Sequence, residues 1–216
     1  MRRGAAVLLL HAALLAPPLL AQSADSVVAR AAAAYRGLSS LGADFDQVVA
    51  NEMIGTFKSR GTLAQAGASR LSMRFTDPPG EAIVVDGTYL WLYTPSTAPG
   101  QVLRTPVAAA SGYGVNLLAW LLDRPTERYR ATLLPDTTIN GDAVQVVRLV
   151  PVATGLPFGA ATLWLARADA LPRRLEVVEL SGIRRTLTLS NLRPNQVFPP
   201  GTFTFTPGKG VKVVER

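Results

Sequence analysis

The stretch RLSMRFTDPPGEAIVVDGTYLWLY, residues 70–93, sets the frame for everything on either side of it. Leu71, Met73 and Phe75 alternate with Arg70, Ser72 and Arg74, the period of two that marks a strand with one apolar face. Thr76-Asp77-Pro78-Pro79-Gly80 is turn chemistry. Two apolar runs then follow, 82–85 and 89–93. Between them sits Asp86-Gly87, the pair that tight hairpins favour because their central residues need positive φ. Three short antiparallel strands in one stretch form a meander, and a meander must bury one of its faces.

Working outward, the same period recurs. Leu41, Ala43 and Phe45 alternate with Gly42, Asp44 and Asp46, and strands are predicted over 57–65, 101–105, 129–134 and 143–150, with an Asn140-Gly141 turn. Further strands are predicted over 160–166, 171–180, 184–192, 203–206 and 211–214. Two segments carry helical spacing instead. Val27, Val28, Ala31, Ala34, Tyr35 and Leu38 follow a cap at Asp25 or Ser26, and Val115, Leu117, Leu118, Trp120, Leu121 and Leu122 run up to Asp123-Arg124-Pro125. The expected class is mainly β (α+β): about 10–11 strands and two or three short helices. So many twisted strands tend to curl, and the helices can cover the concave side.

The first 24 residues read as a secretory signal peptide, with Arg2 and Arg3 ahead of an apolar run and Ala21, Ser23 and Ala24 as small residues for cleavage. The remainder, 25–216, reads as one domain and is expected in the periplasm. No cysteine is present to be lipidated or to form disulfides, and the one histidine, His11, lies in the leader. Ser-His-Asp and Cys-His nucleophiles are therefore excluded from the mature chain, as are His/Cys zinc sites. Arg2 and Arg3 account for two of the formal +7, leaving +5. Arg173-Arg174 and Arg184-Arg185 sit in strand-like runs without interleaved aromatics, so nucleic acid is not the expected partner. Asp44 and Asp46 share a strand face and read as solvated. Ser111-Gly112-Tyr113-Gly114 lacks the spacing and lysine of a phosphate loop.

Four motifs in order resemble those of the LolA family: Phe45-x-Gln47 after the first helix, Gly61-x-Leu63, the hairpin Val84-Val85-Asp86-Gly87-x-x-Leu90-Trp91-x-Tyr93-x-Pro95, and Phe203-Thr204-Phe205-Thr206-Pro207 with Gly210-Val211-x-Val213. The resemblance spans the mature chain. It implies an unclosed, curled antiparallel β-barrel covered by helices around an apolar cavity. It also implies a periplasmic shuttle that takes acylated lipoproteins from an inner-membrane ABC releasing complex, LolCDE, to an outer-membrane acceptor, LolB. No catalytic residue, cofactor or metal is expected, and a monomer is. The acyl-chain lining expected on this basis is Leu71, Met73, Phe75, Trp91, Leu117, Leu118 and Leu121, although Trp91 is also a candidate structural anchor. The family carries Arg-Pro before its third strand, where this chain has Ala66-Gly67-Ala68-Ser69-Arg70. Arg70 is thus either a shifted lid restraint or a solvent-facing strand residue. An envelope sensor or adaptor of the same fold is the second expectation, and a carboxylate-only hydrolase the third.

Overall fold

The computed structural model describes residues 22–53, 55–110 and 116–216. Most of the expected leader and the Ser111–Gly114 segment with Val115 lie outside the described residues. Helix α1 (Ala24–Arg36) is opened by Ser23, whose side chain accepts the Ser26 backbone N–H at 3.1 Å, and it ends at Gly37. Asp25, expected as a cap, sits inside the first turn, where a carboxylate complements the helix dipole. Ser23 and Ala24, placed in the leader from sequence, belong to the start of this helix.

Six strands follow: β1 (Ser40–Asn51), β2 (Gly55–Ala66), β3 (Arg70–Asp77), β4 (Pro79–Val85), β5 (Tyr89–Tyr93) and β6 (Gln101–Pro106). Two short helices, α2 (Leu117–Leu121) and α3 (Pro125–Arg128), separate them from β7 (Tyr129–Ile139), β8 (Asp142–Pro151), β9 (Phe158–Ala166), β10 (Pro172–Glu179), β11 (Arg184–Pro194) and β12 (Lys212–Glu215). Pro125 both stops α2 and starts α3, since a proline at the first helical position loses no hydrogen bond. Asn140 and Gly141 turn between β7 and β8 with φ of 51° and 89°.

All twelve strands form one sheet in the order β12-β6-β5-β4-β3-β2-β1-β11-β10-β9-β8-β7. Two antiparallel meanders, β1 to β6 and β7 to β11, are joined where β1 pairs with β11. Among the described residues only β12 runs parallel to its neighbour, β6. The outermost strands, β12 and β7, do not pair with each other, so the barrel is unclosed. Residues 203–206 are not a strand. The Thr204 carbonyl accepts the Arg74 guanidinium at 2.8 Å, and Phe205 lies 5.6 Å from Trp91 and 5.4 Å from Tyr93, centroid to centroid.

Register assigns the faces. Across the first meander Leu41, Gln65, Leu71, Val85 and Leu90 lie in line, and Ala43, Leu63, Met73, Ile83 and Leu92 form the next row. Leu187, Leu175, Leu163 and Val147 continue the inward face through the second meander. Val27, Val28, Ala31, Ala32 and Tyr35 of α1, with Leu118, Leu121 and Leu122, pack on this face and make the main core. Each large side chain so buried contributes about 1.5–3 kcal/mol. The fold needs Gly61 where Phe45 and Phe75 flank it in register, their rings meeting edge to face at 5.1 Å. A Cβ on Gly61 would collide with the Arg74 carbonyl and stand 2.8 Å from the Phe75 Cα.

Candidate functional site

The chemistry of the inward face is hydrophobic, with a few polar side chains placed at its margins. Leu71 and Met73 of β3 are buried there, and Phe75 is partly buried against the same core. From above, Leu118 and Leu121 of α2 are buried against them and Leu117 is half-buried at the edge. These six residues, expected from sequence to share one surface, share it.

Trp91 does not. It pairs with Val84 and joins Ala82, Val84 and Val102 in a separate cluster on the outward face, roofed by Phe205, Val211 and Val213. The reason lies in the hairpin register: Val85 pairs with Leu90, so inward positions change from odd to even numbers across the turn. Leu90, not Trp91, faces inward. The indole donates to Asp86 Oδ2 at 2.7 Å and lies 5.2 Å from the Arg104 guanidinium, which makes Trp91 a structural anchor.

Arg70 is likewise outward, with its guanidinium 5.3 Å from the Phe203 ring. This is the solvent-facing placement of the two the sequence offered: adjacent strand residues face opposite ways, and Leu71 holds the inward position. Asp44 accepts Asn191 Nδ2 at 2.7 Å and faces Arg193, which makes it part of a surface network.

What ties the helices to the sheet is a set of amides. Gln145 of β8, almost fully buried, accepts Arg30 Nη2 at 2.7 Å and donates to Gln22 Oε1 at 3.0 Å, holding the start of α1. Gln65 of β2 holds its end, accepting the Tyr35 hydroxyl and donating to the Gly67 carbonyl at 3.0 Å. Burial drives the Tyr35 phenol far above its ordinary pKa, against a smaller downward pull from the Gln65 and Asn116 side chains. It stays a neutral hydroxyl. Asn116 caps α2, its Oδ1 accepting the Ala119 N–H at 3.1 Å. Arg128 ties the far end of α2, donating to the Trp120 carbonyl at 2.7 Å while stacking 4.2 Å over the Trp120 ring. None of these amides was singled out from sequence. Their signal was present: Gln65 and Gln145 are polar side chains in strand positions whose neighbours on the same face are apolar.

Between the end of α1, the β2–β3 turn and α2 lies a cleft of about 290 Å3, walled by Tyr35, Leu38, Ala119 and Leu122, with Arg36 and Asp123 also on its lining. Among the described residues no three His, Cys, Asp or Glu side chains gather as a metal site. The arrangement is an apolar interior under helices fastened by a few hydrogen bonds. It is suited to shelter apolar matter and to open.

Comparison with known proteins agrees in kind. Residues 36–206 match the family model for the outer membrane lipoprotein carrier protein LolA. The chain is 30% identical over 206 residues to an outer-membrane lipoprotein carrier protein of Chromobacterium violaceum, covering 95% of this chain and 96% of that one. It is 32% identical over 182 residues to the carrier protein of Xanthomonas campestris pv. campestris, covering 83% of each. Among solved structures, an uncharacterized conserved protein of Thermus thermophilus superposes with a TM-score of 0.57 at 14% identity, over 89% of this chain and 99% of that one, a likeness of fold.

Proposed function

The chain belongs to the LolA family of outer-membrane lipoprotein carrier proteins, and from this we propose that it is a periplasmic carrier that takes the acyl chains of lipoproteins against its inward sheet face. The family is one of carriers and not of enzymes. The observation that carries the reading is the pairing of a continuous apolar interior with lids held by a few hydrogen bonds, from the Tyr35 hydroxyl and the Arg30 guanidinium to buried glutamines. In the structure described here, Leu118, Leu121 and Leu122 occupy the interior, so cargo would enter by displacing α2 and the end of α1 from Leu71, Met73 and Phe75.

Energetics favour such an exchange over a rigid cavity. Each methylene withdrawn from water gains about 0.8 kcal/mol, so two or three long acyl chains gain on the order of 20–30 kcal/mol if fully buried. A bilayer offers a similar gain. A carrier that gave all of it would never release its cargo. Here the lids lose their own apolar contacts when they yield, and that loss offsets part of the gain. The donor and acceptor in this reading are an inner-membrane ABC releasing complex of the LolCDE type and a LolB-like outer-membrane acceptor. In this reading the leader, taken from the sequence as residues 1–24, directs secretion.

Native mass spectrometry of the mature protein offered a purified triacylated lipoprotein tests the reading. A one-to-one adduct, weakened in Leu71→Glu while the β-sheet circular dichroism is kept, supports it. Absence of any adduct with the wild type overturns it.

A further inference from the structure

The outward face of β3 carries Arg70, Ser72 and Arg74 at alternate positions, two guanidinium groups with a hydroxyl between them. Among the described residues the Arg70 side chain makes neither a hydrogen bond nor an ion pair; its contact is the Phe203 ring. Ser72 is 2% exposed, and its hydroxyl likewise makes no hydrogen bond among the described residues. Arg74 donates to the Thr204 carbonyl and lies 5.9 Å from the Phe205 ring, yet no carboxylate among the described residues pairs with it. Burial holds its guanidinium below the ordinary arginine pKa. A cation withdrawn from water without an anion carries a cost that a bound anion removes.

Residues 195–204 cross this row and leave two cavities beneath them. Arg70 lines one of about 480 Å3, and Ser72 and Arg74 line another of about 300 Å3. Phe198, Gly201 and Thr202 wall both. The space exists because the floor is made of small side chains: Ser72 pairs with Ala64, and Ala64 with Gly42. Above it Phe198 and Phe203 brace each other edge to face at 5.4 Å. The other charged groups on these linings are already engaged. Asp86 accepts two backbone N–H groups and the Trp91 indole, and Arg193 lies 3.4 Å from Asp44. That leaves Arg70, Ser72 and the rest of the Arg74 fork for a ligand.

We propose that this groove is a binding site for a phosphate ester, with Arg70 and Arg74 as its cations and Ser72 as a hydroxyl donor between them. A guanidinium fork takes a carboxylate or a phosphate in two parallel hydrogen bonds. A carboxylate then has both oxygens committed to one fork, whereas a phosphate monoester keeps a third for the hydroxyl. At the ~30 Å3 a water molecule takes, the larger cavity holds roughly fifteen non-hydrogen atoms, enough for a phosphate and a small polar group such as glycerol. That chemistry is shared by the headgroup of an anionic phospholipid and by a soluble phosphate ester. The groove lies on the face of the sheet opposite the apolar interior, so it stands or falls apart from the carrier reading.

The test titrates the intact mature protein with sn-glycerol 3-phosphate by calorimetry, and sediments it with vesicles of phosphatidylglycerol and phosphatidylcholine in equal parts. Saturable binding of at least one probe is expected. Binding of glycerol 3-phosphate places a soluble ester in the groove, and binding of the vesicles alone places a lipid headgroup there. Arg70→Gln combined with Arg74→Gln is expected to weaken binding by about tenfold or more, and Ser72→Ala by about two- to tenfold, with the β-sheet circular dichroism kept. Arg130→Gln combined with Arg148→Gln removes the same charge from exposed positions of β7 and β8 and is expected to change nothing. Failure of the wild type to bind either probe overturns the proposal, and this needs no variant to fold. Full binding by the Arg70 and Arg74 double variant overturns it too. So does an equal loss in the Arg130 and Arg148 double variant, which would mean attraction by net charge alone.

Discussion

Replacing Tyr35 by Phe removes one oxygen and tests whether the amide cluster governs opening. Tyr35 is 6% exposed, and its hydroxyl is the bond between the end of α1 and Gln65 of β2. Without it Gln65 Oε1 is left buried and unpaired, at a cost of about 1–3 kcal/mol. That cost falls on the closed arrangement alone, because lifting α1 returns Gln65 to water. Taking about 1.4 kcal/mol, the ratio of open to closed molecules rises tenfold. If open molecules are the binding-competent minority, apparent affinity for a triacylated lipopeptide rises by the same factor, while the melting temperature falls by roughly 3–6 °C. Hydrogen exchange of the α1 amides and lipopeptide titration, measured on the same preparation, read both sides. Faster exchange with tighter binding is the expected pair. A lower melting temperature with unchanged exchange in α1 and unchanged affinity would refute the reasoning, since the bond would then be merely structural.

Gly61→Ala is expected to cost about 3 kcal/mol or more, because its Cβ meets backbone and not a flexible side chain; a denaturation midpoint within error of the wild type would contradict this. Tyr129→Phe is expected to be neutral or to stabilise by up to about 1 kcal/mol, since that buried hydroxyl has no partner among the described residues; a clear loss in thermal melting counts against it. Burial raises the Asp86 carboxyl, but donation from the Tyr89 and Thr88 N–H groups and the Trp91 indole outweighs this and leaves it below its ordinary value. Its contribution is therefore present above about pH 4 and fades as pH falls through the folded value. The stability gap between wild type and Asp86→Asn should accordingly narrow between pH 7 and pH 2.5, and a constant gap in urea titrations speaks against the assignment. Trp91→Ala should loosen the segment around Phe205, seen as new proteolytic cuts there, and leave lipopeptide affinity unchanged; a fall in affinity would return Trp91 to the interior.

Much of the architecture was legible because strand alternation and turn chemistry are local. Leu71, Met73 and Phe75 announce an inward face within six residues, and Asp86-Gly87 announces its hairpin. Trp91 was misplaced because which face a residue takes depends on the register across the turn, and the offset between Val85 and Leu90 reverses parity. For Arg70 the sequence left two readings, a shifted lid restraint or a solvent-facing strand residue, and alternation with Leu71 sends it outward. The fastening amides were missed for a different reason. Gln65 and Gln145 announce themselves only once it is known that β2 and β8 lie under opposite ends of α1, a fact of the whole sheet. Phe203–Thr206 alternates as a strand does, yet it settles against the sheet by side-chain partners, Arg74 donating to the Thr204 carbonyl and Phe205 packing near Trp91.

The seam between the two meanders bears on how such a chain is made. Strand β1 is flanked by β2, which follows it directly, and by β11, where Ala50 pairs with Arg184 and Leu41 with Pro194. A polypeptide emerging N-terminus first has β1 available early and β11 only near the end. For most of that interval the twelve residues of β1 present a bare row of backbone donors and acceptors, an invitation to strands of other chains. Closing the seam also spans a loop of well over a hundred residues, and such distant pairing is slow. Biogenesis is thus exposed to error until β11 has emerged, and a chain cut short ahead of residue 184 would keep that edge open for good.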